Sequence, residues 1–148
     1  MSQAASGIDL ATSPGYLVKV VSSALRSAME DVLRPLGMTI THYSCLELLA
    51  QRPGLSNSEL ARGTFVTRQS MNVLLQGLQR EGLVTRPEQP TSGRILPTEL
   101  TDAGRQQLST ASSAIRDVEN RMLTGLSAAE RTSLTALLKA CAASLTAS

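Results

Sequence analysis

The side chains best suited to chemistry lie on one face of a short segment near the middle of the chain. That face carries Arg68, Gln69, Asn72, Val73 and Gln76, because residues three and four apart in a helix lie on the same side. Arginine, asparagine and glutamine make the paired hydrogen bonds that read base edges in the major groove of DNA. A solvated amphipathic helix has a similar polar face, so the neighbouring elements must decide between the two interpretations.

The residues before this segment predict a first, shorter helix. Ser56 and Glu59 have the Ser-x-x-Glu spacing of a capping box, in which each residue bonds the backbone of the other. Gly63 is placed to end this helix in the left-handed conformation. Phe65 and Val66 are expected to contribute apolar packing just before the second helix begins.

The second helix is predicted to begin after Thr67, whose hydroxyl can cap it, and to stop at Gly82. Its apolar residues recur at intervals of three or four, which places them on one buried face. They are Met71, Leu74, Leu75 and Leu78. Two short helices joined by a tight turn, with a polar outer face on the second, are typical of a helix-turn-helix.

The next stretch predicts a β hairpin with a long loop. Leu83–Arg86 alternates like a strand, Pro87–Gly93 is rich in turn residues, and Arg94–Leu100 follows as a second extended run. Arg94 lies at the end of the loop, where it could reach phosphates or the minor groove. Pro97 has no N–H to donate to a ladder, so the second strand is expected to be an edge.

In their order and spacing these pieces resemble the MarR family of winged-helix regulators over about Thr41 to Arg105. One departure concerns the wing, because the family usually has an aspartate two residues before its arginine and this chain has Ser92 there. The segments that carry the resemblance are Ser56-Asn-Ser-Glu-Leu-Ala61, Phe65-Val-Thr-Arg-Gln-Ser-Met-Asn72, Leu78-Gln-Arg-Glu-Gly-Leu-Val-Thr-Arg86, Gly93-Arg94 and Leu100-Thr-Asp-Ala-Gly-Arg105.

The expected fold is mainly α: a winged helix-turn-helix with a small β-hairpin wing and with N- and C-terminal dimerisation helices. Residues 1–148 are expected to form one domain, a length that can bury a substantial core. Within it, the DNA-binding lobe spans 41–100, and the dimerisation helices span 14–36 and 101–146.

Two helices are predicted before the helix-turn-helix. The first begins at Pro14, with Ser13 as its cap, and runs to about Leu36. Thr41 is expected to cap the second, which runs through Ala50. Its inward residues are predicted to be Tyr43, Leu46, Leu49 and Ala50.

Two more helices are predicted after the wing, capped by Thr101 and by a Ser127–Glu130 capping box. The first has a coiled-coil-like seam and the second has one apolar face. These residues are Leu108, Ala111, Ile115, Val118 and Met122, then Leu134, Leu137, Leu138, Cys141 and Leu145. The terminal helices could cover their own lobe, but a single winged helix does not need them all, which favours pairing between two copies.

Composition narrows the function classes. Apolar residues make up 42% of the chain and aromatic residues 2%, so a disordered composition and a base-stacking platform for single strands are both disfavoured. Net charge is only +2, but between Arg52 and Arg94 there are six arginines against three glutamates. No signal peptide or membrane-spanning run is evident. A cytoplasmic location is therefore expected, with both cysteines reduced.

Catalytic and metal chemistry is poorly supported. His42 and Cys45 lie three residues apart and could form a reactive thiolate pair, although a core cysteine beside a boundary histidine is the favoured interpretation. Cys141 is likewise expected in the core. The single histidine and the absence of a Cys-x-x-Cys pair argue against a metal site, so neither a cofactor nor an enzyme is expected.

The predicted function is sequence-specific binding of double-stranded DNA by a homodimeric transcription regulator, as a ligand-responsive repressor on a near-palindromic operator. The predicted DNA contacts are Ser56, Thr67, Arg68, Gln69, Ser70, Asn72, Val73, Gln76, Arg86, Ser92 and Arg94. The resemblance implies a small phenolic or aromatic-acid effector, for which Tyr16, His42 and Tyr43 are the candidate side chains. Two alternatives remain: a winged-helix interaction module without DNA binding, and a redox regulator based on Cys45.

Overall fold

The computed structural model describes residues 7–86 and 97–147. Six α-helices and one small antiparallel sheet form this part of the protein. In chain order they are α1 (Pro14–Leu33), α2 (Ile40–Gln51), α3 (Asn57–Thr64), α4 (Arg68–Arg80), β1 (Val84–Thr85), β2 (Glu99–Leu100), α5 (Asp102–Met122) and α6 (Ala128–Thr146). The mainly α fold predicted from the sequence is confirmed.

Most predicted caps are present. Ser13 accepts a hydrogen bond from the Tyr16 N–H at 3.4 Å, and Pro14 occupies the first turn of α1. Ser127 and Glu130 form the reciprocal capping box at α6. At α5, the Thr101 hydroxyl accepts from the Gly104 N–H at 3.0 Å and donates to the Gly82 carbonyl at 2.6 Å. Thr101 therefore ties the start of α5 to the turn that ends α4.

The predicted start of α2 is wrong by two residues, since Thr39 caps it instead of Thr41. The Thr39 hydroxyl accepts from the His42 N–H at 3.1 Å, and His42 Nδ1 accepts from the Thr39 N–H at 3.3 Å. This is a capping box with histidine in the place usually taken by glutamate or glutamine. The unusual partner concealed the cap in the sequence.

The first helix also ends earlier than predicted. It is α-helical to Leu33 and continues as a 3₁₀ turn over Arg34–Leu36. Pro35 accounts for the change, because it has no N–H for an α-helical bond and its ring crowds the preceding turn. Gly37, at φ 72°, then turns the chain towards α2.

Gly63 does not end α3, as the sequence predicted. The helix continues to Thr64, and Phe65 takes the left-handed position at φ 61°. The Val66 N–H donates to the Ala61 carbonyl at 3.0 Å and the Phe65 N–H to the Arg62 carbonyl at 3.3 Å, the pattern of a Schellman cap. A left-handed residue with a Cβ costs roughly 1–2 kcal/mol.

The packing of side chains in this region also differs from the prediction. Phe65 is 94% exposed instead of packed, whereas Val66 packs against the core. Gly63 has a different function from capping, because a Cβ there would collide with the Leu48 side chain of α2. The glycine therefore allows α3 to approach α2 closely.

The hairpin has Val84 opposite Leu100 and Thr85 opposite Glu99. An additional bridge pairs Leu55 with Thr98: the Thr98 N–H donates to the Leu55 carbonyl at 3.2 Å. Among the described residues β2 is therefore an edge of a two-stranded sheet, as predicted, and Thr98, the residue before it, makes one further bridge on the other side.

The core lies where α2, α3, α4, the hairpin and the first half of α5 meet. Its fully buried residues include Leu33, Leu46, Leu49, Leu60, Met71, Leu75 and Cys45. Three of the four predicted inward positions of α2 face this core, with Tyr43 only partly buried. The exception is Ala50, which is exposed, one residue round the helix from the buried Leu49.

The outer helices present apolar surface to solvent in the single chain. Leu17, Val18 and Val21 of α1 are each more than 40% exposed, and α6 buries no residue at all. Cys141 is exposed here, contrary to the expected core position. The predicted seam of α5 is buried from Leu108 to Val118, but Met122 at its end is exposed.

Candidate nucleic-acid interface

The candidate interface is built on α4, whose two faces differ sharply. Met71 and Leu75 are completely buried and Leu78 is almost completely buried, because they fall on the side that packs into the core. The opposite side is exposed along its whole length. It carries Arg68, Gln69, Asn72, Val73 and Gln76, the set that the sequence placed together.

The start of α4 is fixed by Thr67. Its hydroxyl accepts from the Ser70 N–H and also donates to the Ser70 hydroxyl, both at 3.0 Å. The first N–H groups of a helix have no acceptor within the helix, and they attract anions such as phosphates. Thr67 and Ser70 therefore position a helix end that suits a DNA backbone.

A contact that the sequence did not reveal joins α3 to α4. The side-chain amide of Asn57 donates to Asn72 Oδ1 at 3.4 Å, so Asn72 is held from one side while its own amide N–H groups remain as donors. Asn57 Oδ1 is buried without a hydrogen-bond partner among the described residues. No motif marks Asn57, since the contact depends on how the two helices cross.

Ser56 is partly buried at the start of α3, where it completes the predicted capping box. It accepts from the Glu59 N–H at 3.2 Å, and Glu59 accepts from the Ser56 N–H at 3.0 Å. These hydrogen bonds hold the pKa of the Glu59 carboxyl below its ordinary value. The Glu59 carboxylate thus stays charged in the first turn of α3, the N-terminal end at which the helix dipole favours an anion.

The wing is described only at its base. Arg86 follows β1 and is partly buried. The predicted contacts Ser92 and Arg94 lie outside the described residues, as does most of the loop.

Tyr43, one of the candidate effector residues, is already engaged in hydrogen bonding within the single chain. Tyr43 Oη donates to Glu47 Oε2 at 3.1 Å, and the Ser112 hydroxyl of α5 donates to the same oxygen at 2.8 Å. Gln51 donates to the other carboxylate oxygen at 3.0 Å. Together these bonds form a polar contact between α2 and α5, which we call the Glu47 cluster (Tyr43, Glu47, Gln51, Ser112).

The pKa values in the Glu47 cluster indicate a carboxylate. Burial alone would raise the pKa of Glu47, but the three donated hydrogen bonds and the charge of Arg116 outweigh it and leave that pKa below its ordinary value. The pKa of Tyr43 is raised, mainly by burial. Tyr43 is therefore a neutral donor to an anion.

His42 and Cys45 do not form a reactive pair. The ring of His42 is used in the capping box of α2, whereas Cys45 is fully buried with Sγ 4.0 Å from Met71 Sδ. Burial raises the pKa of the Cys45 thiol to about 12, so the reactive thiolate is disfavoured. The interpretation of Cys45 as a core residue is confirmed.

Tyr16 lies apart from the other two candidate effector residues. It lines a shallow groove formed by α1 alone. The end of α1 near α2 is about 25 Å further along the helix, at 1.5 Å per residue. One chain does not bring Tyr16 together with His42 and Tyr43.

Neither a metal-ligand cluster nor a membrane-spanning helix occurs in residues 7–86 and 97–147. There, no three histidine, cysteine, aspartate or glutamate side chains cluster closely enough to ligate a metal ion. None of the helices in this part combines the length and apolar character needed to cross a bilayer.

A helix with an exposed polar face, packed on α3 and followed by a β hairpin, defines a winged helix-turn-helix protein. The MarR family model matches residues 36–95. Repressor Rv2887 of Mycobacterium tuberculosis, an HTH-type transcriptional repressor, is 42% identical over 117 residues, which are 79% of this chain and 84% of that protein. The chain belongs to the MarR family.

Solved structures of Rv2887 have the same fold. Its complex with DNA gives a TM-score of 0.76 at 36% identity, covering 88% of this chain and 98% of that one. Its complex with salicylic acid gives a TM-score of 0.73 at 38% identity, covering 88% and 96%. These similarities confirm the winged-helix architecture predicted from the sequence.

Proposed function

We propose that this protein is a homodimeric repressor that binds double-stranded DNA at a near-palindromic operator. The observation that carries the proposal is α4: its apolar side is buried while its arginine and amide side chains face solvent. The relative Rv2887 is named a repressor and has been solved with DNA. The protein is proposed to act in the cytoplasm, without catalysis.

The contacts divide by chemistry. Arg68, Gln69, Asn72 and Gln76 would read base edges, with Val73 against thymine methyl groups. The remaining predicted contacts would bind the sugar-phosphate backbone of the DNA. Such contacts fix the position of the protein on the duplex without reading the base sequence. These are Ser56, Thr67, Ser70, Arg86, Ser92 and Arg94.

The proposed organisation is one domain, in which 41–100 forms the DNA-binding lobe and 14–36 and 101–146 form the dimerisation helices. Exposed apolar surface on α1 and α6 supports it. An apolar cavity of about 620 Å³ between α1, the end of α5 and α6 is lined by residues that include Leu17, Val21, Leu134 and Leu138. Helices of a second copy would fill this cavity and remove its surface from water.

Binding to DNA tests the function directly. The full-length protein would be titrated with a fluorescent duplex from the region upstream of its own gene and with an unrelated duplex, at several salt concentrations. We expect specific binding roughly a thousandfold or more tighter than nonspecific binding. Equal affinity for every duplex, or no binding, would favour the interaction module without DNA binding.

An effector that releases DNA is the second part of the proposal. Rv2887 has been solved with salicylic acid, and here a cavity of about 350 Å³ opens where the end of α1 meets the start of α2. Its lining includes Arg26, Glu30, Arg34, Thr39 and Thr41. A guanidinium can pair with a carboxylate. Here Arg26 pairs with Glu30 at 3.1 Å and Arg34 with Asp31 at 3.5 Å, so an acidic ligand would compete with these partners. Tyr16, His42 and Tyr43 remain candidates, although the anionic Glu47 beside Tyr43 disfavours an acid at that point.

Thermodynamic linkage between effector binding and DNA binding provides the test of the effector. A ligand that weakens DNA binding must itself be weakened by DNA by the same factor, typically about 5–150-fold. Salicylate would be titrated by calorimetry into the free protein and into its DNA complex. Weaker binding to the complex is expected, and equal affinity for both would show that the cavity has no part in regulation.

A further inference from the structure

Phe65 is an aromatic residue in a position that neither packing nor backbone preference explains. It is 94% exposed, so its ring contributes almost nothing to the core. Its backbone is left-handed, with φ 61° and ψ 39°, a conformation that is unusual for a bulky residue and unstrained only for glycine. The cap bonds at this turn are made by backbone groups, and glycine would make them equally well.

Exposed arginines flank Phe65 in the sequence, in the turn that leads into α4. Arg62 lies three residues before it and Arg68 three residues after it, and both are exposed. Between Glu59 and Glu81 the sequence has three arginines and no acidic residue. An exposed ring between two cations, at the turn that leads into α4, matches a partner that is anionic but has apolar patches.

Duplex DNA has that chemistry. Its phosphates are anionic, while thymine C5-methyl groups and deoxyribose rings offer apolar surface in and beside the groove. We propose that Phe65 is a DNA-contacting residue, whose ring packs against this apolar surface when α4 enters the major groove. The proposal rests on the DNA-binding function proposed above. It adds a contact that contains no charge and no hydrogen bond.

Backbone strain makes the proposal testable with two variants. Phe65→Gly removes both the ring and the strain, whereas Phe65→Tyr keeps the ring and the left-handed Cβ. Both would be compared with wild type as full-length protein, on the duplex that wild type selects from a random pool. Thermal unfolding, sedimentation and DNA affinity at several salt concentrations would be measured.

We expect Phe65→Gly to be at least as stable as wild type and equally dimeric, yet to bind the selected duplex roughly tenfold more weakly, as loss of apolar burial predicts. Its salt dependence should equal that of wild type, because no phosphate contact is lost. Phe65→Tyr should bind within about twofold of wild type, since its ring covers the same surface.

A second arm separates the two sources of apolar surface. Replacing thymine by uracil in the selected duplex removes only the C5-methyl group. If the ring contacts a methyl, one such replacement weakens wild type but leaves Phe65→Gly unaffected. If it contacts deoxyribose, every uracil duplex preserves the difference between the two proteins.

Four outcomes would overturn the inference. Equal affinity of Phe65→Gly and wild type would exclude a DNA contact, while leaving the proposed function intact. Lower stability of the glycine variant would show that the ring packs within the fold, and dissociation of its dimer would assign the ring to the second copy. If wild type selects no duplex, the proposed function itself fails, and this contact with it.

Discussion

At the scale of single residues, α4 is a helix whose outer side chains are placed by their inner neighbours. Burial of Met71 and Leu75 fixes the rotation of the helix about its axis. Arg68 and Asn72 then point outward as a consequence, and Asn57 restrains Asn72 further. Apolar spacing was enough to predict the outer set, whereas the Asn57 contact needed the crossing of two helices.

Arg68→Ala tests this placement. Loss of a base contact should cost about 1–3 kcal/mol at one position of the operator and relax the preference there. Lys139→Ala is the matched control, since it removes the same charge from α6. Anisotropy titrations against duplexes with single base changes would measure both. An equal effect of the two variants would mean that only overall charge matters.

At the scale of elements, the sequence predicted the order of helices and hairpin but missed several ends. Caps made of common pairs, such as Ser56 with Glu59, were found. The cap that uses His42 and the left-handed Phe65 were missed, because both use residues that are uncommon in those positions. Gly63 was predicted to cap the end of α3, although its small size allows the contact with Leu48, a distant residue that local spacing does not reveal.

Gly104, like Gly63, allows two elements to approach closely because it has no side chain. A Cβ at this position would collide with the backbone carbonyl oxygen of Leu83, which cannot move without disturbing the hairpin. We expect Gly104→Ala to destabilise the protein by about 1–3 kcal/mol, measured by urea unfolding. Gly77→Ala is the control, since a Cβ there meets only the flexible end of Arg80 at 3.9 Å, and it should leave the midpoint unchanged or slightly raised.

The Glu47 cluster predicts an acid-sensitive contact between α2 and α5. Because the pKa of Glu47 is lowered in the folded protein, its contribution is fully present above the unfolded pKa, about 4.3. It is lost as pH falls through the folded value. Glu47→Gln should therefore lower the urea midpoint at pH 7, and the difference from wild type should shrink at lower pH.

Ser112→Ala provides the partner variant for this contact. If the hydrogen bond from Ser112 to Glu47 joins the two helices, the double variant should lose less than the sum of the single losses. Additive losses at pH 7 would show that the two side chains act independently.

At the scale of the whole molecule, the single chain leaves its longest apolar faces unsatisfied. The seam of α5 was predicted to be coiled-coil-like. It is buried from Leu108 to Val118, where α1 and α2 pack on it within the chain, whereas Met122 at its end is exposed. The apolar face predicted on α6 is exposed at Leu137, Leu138 and Leu145. Its cover is absent from a single chain, so sequence and structure alike point to a second copy.

Leu138→Asp tests the proposed contact with a second copy of the chain. Leu138 lines the large apolar cavity beside α1, and a charge buried there without a partner is costly. We expect the variant to sediment as a monomer or to fail to fold, and to lose operator binding. Ala136→Asp puts the same charge on the opposite side of α6 and should remain dimeric. A stable wild-type monomer at micromolar concentration would contradict the dimer outright.

Thr101 fixes the C-terminal end of α4 to the start of α5. Its hydroxyl bonds the Gly82 carbonyl and the Gly104 N–H, so the far end of α4 is pinned to the first turn of α5. Arg68 lies twelve residues from Arg80, about 18 Å along the helix axis. Because Met71 and Leu75 are buried, α4 moves together with its core. A rotation of the whole DNA-binding lobe by roughly 10° about this end of α4 would carry Arg68 sideways by about 3 Å, close to the step between neighbouring base pairs. In the proposed dimer, a small change in the orientation of each lobe would thus shift each α4 by about one base pair along the DNA.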